Sequence, residues 1–139
     1  RANGESAAKG QRGAAVFVRP EIAGLGEEME QRAARDPLFR DTIVYLTCLH
    51  ELGHAMGLEH TAGFADIMYF FGYGGDIGRY FGRYRERLTL RDDIAKNSGL
   101  SPADISRIRS LYPAGVAGSP VSSPAAAPVS SRASLNNLR

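Results

Sequence analysis

The 139-residue chain is short of cysteine, of net charge and of long apolar runs, and each shortage removes a class of explanation. Cys48 is the one cysteine, so no intrachain disulfide can form and cysteine usage does not report a redox compartment. A formal charge of +2, with no basic stripe carrying interleaved stacking aromatics, argues against a nucleic-acid partner. No apolar run approaches the roughly 20 residues that a membrane span needs. The first residue is Arg1, not Met, and no signal-peptide pattern follows, as expected of a processed product or a fragment. The remaining composition, 43% hydrophobic and 23% charged, is ordinary for a globular protein and suggests one domain at most.

Histidine is scarce too, but its distribution is informative. All three histidines fall in His50-Glu51-Leu52-Gly53-His54-Ala55-Met56-Gly57-Leu58-Glu59-His60, the pattern H-E-x-x-H-x-x-G-x-x-H. Two histidines four apart on a helix stand one turn above each other, so both imidazoles can reach one metal ion. Glu51, beside His50, is rotated off that face and can act on water without becoming a ligand. Gly57 can end the helix in the left-handed conformation that glycine accepts, which turns His60 back as a third ligand. Three protein ligands with one open position describe a catalytic zinc site, whereas four close a structural one. The bland alternative is a set of histidines satisfied in a core or on a surface.

Downstream lies Asp66-Ile67-Met68-Tyr69, with Met68 eight positions after His60. With this, the chain resembles the metzincin zinc metallopeptidases, which join the extended histidine motif to a later Met-turn. The spacing and the Met-Tyr pair look most like the matrixin branch. Thr61 stands where matrixins usually carry Ser, and Phe70 where proline is common. Phe70 also occupies the position at which astacins place a metal-binding tyrosine, so no fifth ligand is expected.

The resemblance implies an α+β, zincin-type catalytic domain, mostly helical in this chain, with one or two N-terminal strands and a long active-site helix. It implies a zinc-dependent endopeptidase. Zn²⁺ would be held by His50, His54 and His60, Glu51 would be the general base, and Met68 an apolar floor beneath the ligands. Protein or peptide would be the substrate, and a secreted or extracytoplasmic location would be expected. The inhibitory cysteine motif of matrixin propeptides is absent. Only 49 residues precede His50, whereas metzincin domains place most of a twisted sheet and a first long helix there. The expectation is that part of the N-terminal sheet lies outside this sequence. Two alternatives remain: a zinc-binding but catalytically incompetent fragment, and an interaction module using the Arg-rich helix and the tail described next.

Along the chain, residues 1–13 are expected to be a flexible lead-in, 14–113 the catalytic domain, and 114–139 a disordered Ala/Pro/Ser-rich tail. Ala14–Arg19 is the best strand candidate, either an edge strand that pairs with extended substrate or a buried one. Glu21–Arg35 suits a surface helix or irregular turn weakened by Gly24 and Gly26, and Asp36-Pro37 marks a break. The central helix is expected over Ile43–Leu58, capped by Asp41 or Thr42, with Cys48 facing away from the ligands as a small core residue. After the Met-turn, Phe70–Asp76 should form a glycine-rich loop with an aromatic wall. Tyr69 or Tyr73 either donates a hydrogen bond to the reacting carbonyl or simply packs. Asp66 either orients a ligand histidine or caps a turn. Ile77–Leu88 has the spacing of an amphipathic helix whose arginines face solvent, anionic lipid or acidic substrate. Thr89–Asn97 suits a short helix, and Ser101-Pro102-Ala103-Asp104 carries the cap and first turn of a last one.

Overall fold

The computed structural model describes residues 22–113 together with the backbone of residues 16–18 and 131–133. Four α-helices run in order: α1 (Glu27–Arg35), α2 (Pro37–Ala55), α3 (Ile77–Arg85) and α4 (Pro102–Leu111). Single 3₁₀ turns occupy Ala23–Leu25, Phe71–Tyr73 and Arg91–Ala95. Strands β1 (Val16–Val18) and β2 (Ser131–Ala133) pair in parallel, Val16 opposite Ser131, and lie against α2.

This overturns the expected α+β fold. Residues 27–35, expected as a surface helix or irregular turn, form α1, whose Glu-Glu-Met-Glu-Gln-Arg-Ala-Ala-Arg is built of strong helix formers, so no sheet layer is supplied between β1 and α2. What strand there is amounts to one pair of three-residue segments, and the partner of β1 comes from the far end of the chain. The chain is therefore mostly helical, with no layered sheet among the described residues. The lead-in 1–13 and, β2 apart, the tail 114–139 lie outside the described residues.

The central helix starts a turn and a half earlier than expected. Asp36-Pro37 is its beginning, not a break: the Asp36 carboxylate accepts a hydrogen bond from Phe39 N at 3.2 Å, and Pro37 takes the first helical position. Neither Asp41 nor Thr42 caps it; both lie inside α2, and Thr42 is buried. Arg85 of α3 reaches across to Asp36 at 2.9 Å, so the same carboxylate joins α2 to α3. Burial alone would raise the Asp36 pKa, but Arg85 and the cap bonds outweigh it and hold the group below its ordinary value.

α2 packs on α1 and on α3. The core between them is filled by Met29 of α1, Phe39, Ile43 and Leu46 of α2, and Tyr80, Phe81 and Tyr84 of α3. α4 opens as expected: Ser101 Oγ accepts from Asp104 N, and the Asp104 carboxylate accepts from Ser101 N, a reciprocal capping box. The segment Thr89–Asn97 winds only as the 3₁₀ turn Arg91–Ala95. No helix of the described residues is long and apolar enough to cross a membrane.

Candidate metal centre

The site begins with the way α2 ends. Gly57 has φ +97°, its N–H bonds to the His54 carbonyl at 2.9 Å, and Leu58 N bonds back to the Gly53 carbonyl at 2.9 Å. This Schellman closure reverses the chain where the spacing predicted it. It also delivers the Leu58 carbonyl to His54 Nδ1 at 2.9 Å. His50 Nδ1, one turn deeper in α2, finds the Ile67 carbonyl at 2.7 Å. A carbonyl oxygen only accepts, so both Nδ1 atoms carry protons, and each ring in its neutral form presents a bare Nε2 lone pair.

Those lone pairs converge. His60 Nε2 stands 3.2 Å from His50 Nε2 and 3.0 Å from His54 Nε2, and the ligand atoms of the three residues all lie within 4.8 Å of one another. Tetrahedral zinc with Zn–N of about 2.0–2.1 Å separates its ligand nitrogens by roughly 3.3–3.4 Å. The two distances to His60 lie within a few tenths of an ångström of that. One proton on His60 could satisfy one lone pair, whereas a cation meets all three, so this donor set suits a metal ion. Three imidazoles without a thiolate match zinc among several divalent metals.

Burial favours the neutral form of two of the three rings. His50 is fully buried, which lowers its pKa to about 4; the Ile67 carbonyl and Glu51 oppose that shift without cancelling it. The His60 pKa is also lowered, first by burial and then by His54, with Glu51 again opposing. Glu51 is itself fully buried on α2, so its carboxylate acts at short range on two of the three ligands.

The loop that carries His60 is tied to the Met-turn by backbone pairing: Thr61 N bonds to Met68 O at 2.9 Å and Phe70 N to Thr61 O at 3.2 Å. Met68 is fully buried, and its sulfur sits so close over α2 that a Cβ on Gly53 would overlap it. Gly53, between His50 and His54, is therefore what lets the thioether pack against α2. The turn is also latched from outside. Ile67 N donates to the buried Asp104 carboxylate at 2.8 Å, and the Tyr80 hydroxyl donates to Asp66 O at 3.0 Å.

Asp66 does not orient a histidine. Its carboxylate accepts from Thr61 Oγ1 (2.9 Å), Ser101 Oγ (2.8 Å) and Arg107 Nη1 (3.0 Å). Burial would raise its pKa, but these donors together lower it, so it remains a carboxylate that clamps α4 to the turn. The rings of His50 and His54 are oriented by the Ile67 and Leu58 carbonyls instead. Tyr69 is buried with its hydroxyl committed to the Gly74 carbonyl, so it is not free to meet a substrate, and Tyr73 is 64% exposed. Cys48 is half-buried, takes no part in the cluster, and burial pushes its thiol pKa up.

The roles of Asp104, Tyr80 and Gly53 escape sequence inspection. Asp104 is visible as a cap and Tyr80 as one member of an apolar face, but nothing local says that both reach the turn. Phe70, expected only as part of a wall, lies flat against His60 with ring centroids 4.7 Å apart and an interplanar angle of 5°. No family model matches the chain, and no curated protein and no solved structure matches it either.

Proposed function

We propose that the chain is a zinc-dependent endopeptidase, resembling the metzincins in its active-site motif, that hydrolyses peptide bonds in protein or peptide substrates. The observation that supports it best is the convergence of three Nε2 lone pairs, two of them fixed by Nδ1 bonds to carbonyls, next to a buried glutamate. A merely structural metal site has no use for Glu51. A zinc ion held by His50, His54 and His60 supplies Lewis-acid polarisation of the scissile carbonyl and makes water more acidic.

The residues of the chain do the rest. Glu51 takes a proton from the attacking water, whose oxygen adds to the carbonyl carbon. As the C–N bond breaks, Glu51 passes that proton to the amine nitrogen. One water is consumed, an acid and an amine are released, and the carboxylate is regenerated. The Ile67 and Leu58 carbonyls hold two rings with Nδ1 protonated and Nε2 turned to the metal position, while the buried Met68 packs against Gly53 between them.

The test is cleavage of an unfolded protein such as casein by the purified chain, with and without chelator, beside Glu51→Gln. Cleavage should stop with chelator, return with zinc, and fall by about 10²–10⁴ in the variant while zinc stays bound. Undiminished activity in Glu51→Gln would overturn the reading. Stoichiometric zinc with no cleavage by the wild type would replace it with a zinc-binding module.

A further inference from the structure

The three histidines are not held alike. His50 and His54 each anchor Nδ1 on a carbonyl, whereas His60, the most open of the three, has no such bond among the described residues. Its ring is flanked instead by Phe70, stacked in parallel at 4.7 Å. Phe70 is in turn held from two further sides. Its N–H bonds to the Thr61 carbonyl at 3.2 Å, which fixes it beside the residue that follows His60. The 3₁₀ turn Phe71–Tyr73 folds over it so tightly that a Cβ on Gly72 would overlap the Phe70 ring, and Tyr73 meets that ring edge-on at 5.6 Å.

We infer that Phe70 is a positioning residue for the third metal ligand: its ring face, clamped by the Gly72–Tyr73 turn, replaces the missing Nδ1 hydrogen bond in orienting His60. The inference rests on the metal-site part of the proposed function. An imidazole gains partial positive charge when its nitrogen gives a lone pair to a cation, and the negative face of a phenyl ring attracts such a partner more than it attracts a neutral one. The stack is thus stronger with metal bound than without, and that difference appears as affinity.

The measurement is zinc affinity of the full chain by competition with a chromophoric chelator, together with the visible spectrum of its cobalt(II) form, for the wild type, Phe70→Leu, Phe70→Trp and Gly72→Val. Phe70→Leu keeps apolar bulk and removes the ring face. It should weaken zinc binding by about 10-fold, the low end for loss of a group that orients a ligand, and alter the cobalt spectrum. Phe70→Trp should restore affinity to within about 3-fold, since a larger ring offers the same face. Gly72→Val, which pushes the ring off His60, should resemble Phe70→Leu. Wild-type affinity and spectrum in Phe70→Leu would overturn the inference, as would equal weakening in Leu and Trp. A wild-type chain that binds no zinc overturns it together with the metal site. Zinc binding without casein cleavage overturns the peptidase reading alone.

Discussion

Two halves of the site are built by different physics. His50, Glu51 and His54 ride on α2, whose 3.6-residue turn sets their mutual positions before any other part of the chain is in place. His60, Met68 and Phe70 ride on a loop with no regular structure beyond one bridge, Thr61 opposite Tyr69. The loop half is held by bonds that reach residues far along the chain: Ile67 to Asp104, Asp66 to Ser101 and Arg107, Asp66 O to Tyr80. The helical half is therefore local and cheap to specify, while the loop half depends on α3 and α4 docking correctly. A metal ion that needs all three histidines reports on both.

The comparison breaks most easily at Asp104. Its carboxylate, wholly buried, accepts from Ile67 N and Ser101 N, each at 2.8 Å. Asp104→Ala strands both donors in the interior, at about 1–3 kcal/mol each. Urea unfolding of the metal-free protein should show a loss of about 3 kcal/mol or more, and zinc affinity should fall although no ligand has changed. A destabilisation no larger than that of an exposed cap would mean that the loop half holds itself together.

Gly53→Ala probes the contact between the halves. The added methyl meets the Met68 sulfur, and because Met68 is fully buried the side chain has little room to retreat. Overpacking of this kind costs about 1–3 kcal/mol. Pairing the change with Met68→Ala should cost less than the sum of the two single variants, since the overlapping atoms are gone. Strict additivity in that double-mutant cycle would show that the sulfur does not bear on α2.

Acid separates the halves in another way. Without metal, the unfolded chain takes up a proton at His50 near pH 6.5, but the folded chain does so only near about 4. Between those values the unfolded state binds more protons, so stability falls as pH drops through the window and is fully present above it. From about pH 7 to about pH 5 the His50 contribution to the loss is about 2 kcal/mol, readable as a shift of the urea midpoint in chelator. His60 shifts in the same direction and adds to the effect. A midpoint flat across that interval would mean that the His50 ring is not buried in the metal-free fold.

How much of this was legible in the sequence follows the same division. The i, i+4 spacing placed His50 and His54, the glycine at 57 placed the reversal, and Ser101 with Asp104 marked the start of α4, because each is a local rule. The fold class was not legible: the α+β expectation came from a resemblance carried by the histidine motif and the Met-turn, which says nothing of the residues before α2, whereas the helical spacing of residues 21–35 foreshadowed α1. Asp36-Pro37 looked like a break because a proline that ends one helix and one that starts the next are the same dipeptide. The hydrogen bonds that aim the rings come from main-chain carbonyls at Ile67 and Leu58, which no side-chain pattern can reveal. Phe70 and Gly72 were visible as aromatic and glycine, but their stacking order depends on how the loop closes.

The smallest effect belongs to a surface ion pair on α2 that includes none of the site residues. Arg91 pairs with Asp41 on α2 at 3.3 Å, but its side chain is 79% exposed while that of Asp41 is 20% exposed. An ion pair with one partner in water gains little Coulomb energy, is screened by salt, and must hold a long side chain in one geometry. Arg91→Ala should therefore change unfolding stability by less than about 0.5 kcal/mol and leave zinc affinity at the wild-type value. The difference should vanish in about 1 M salt, where the screening length is roughly 3 Å. A loss as large as that of Asp104→Ala would mean that the 3₁₀ turn Arg91–Ala95 helps to seat α2. The ligand-bearing helix would then be less self-sufficient than its spacing suggests.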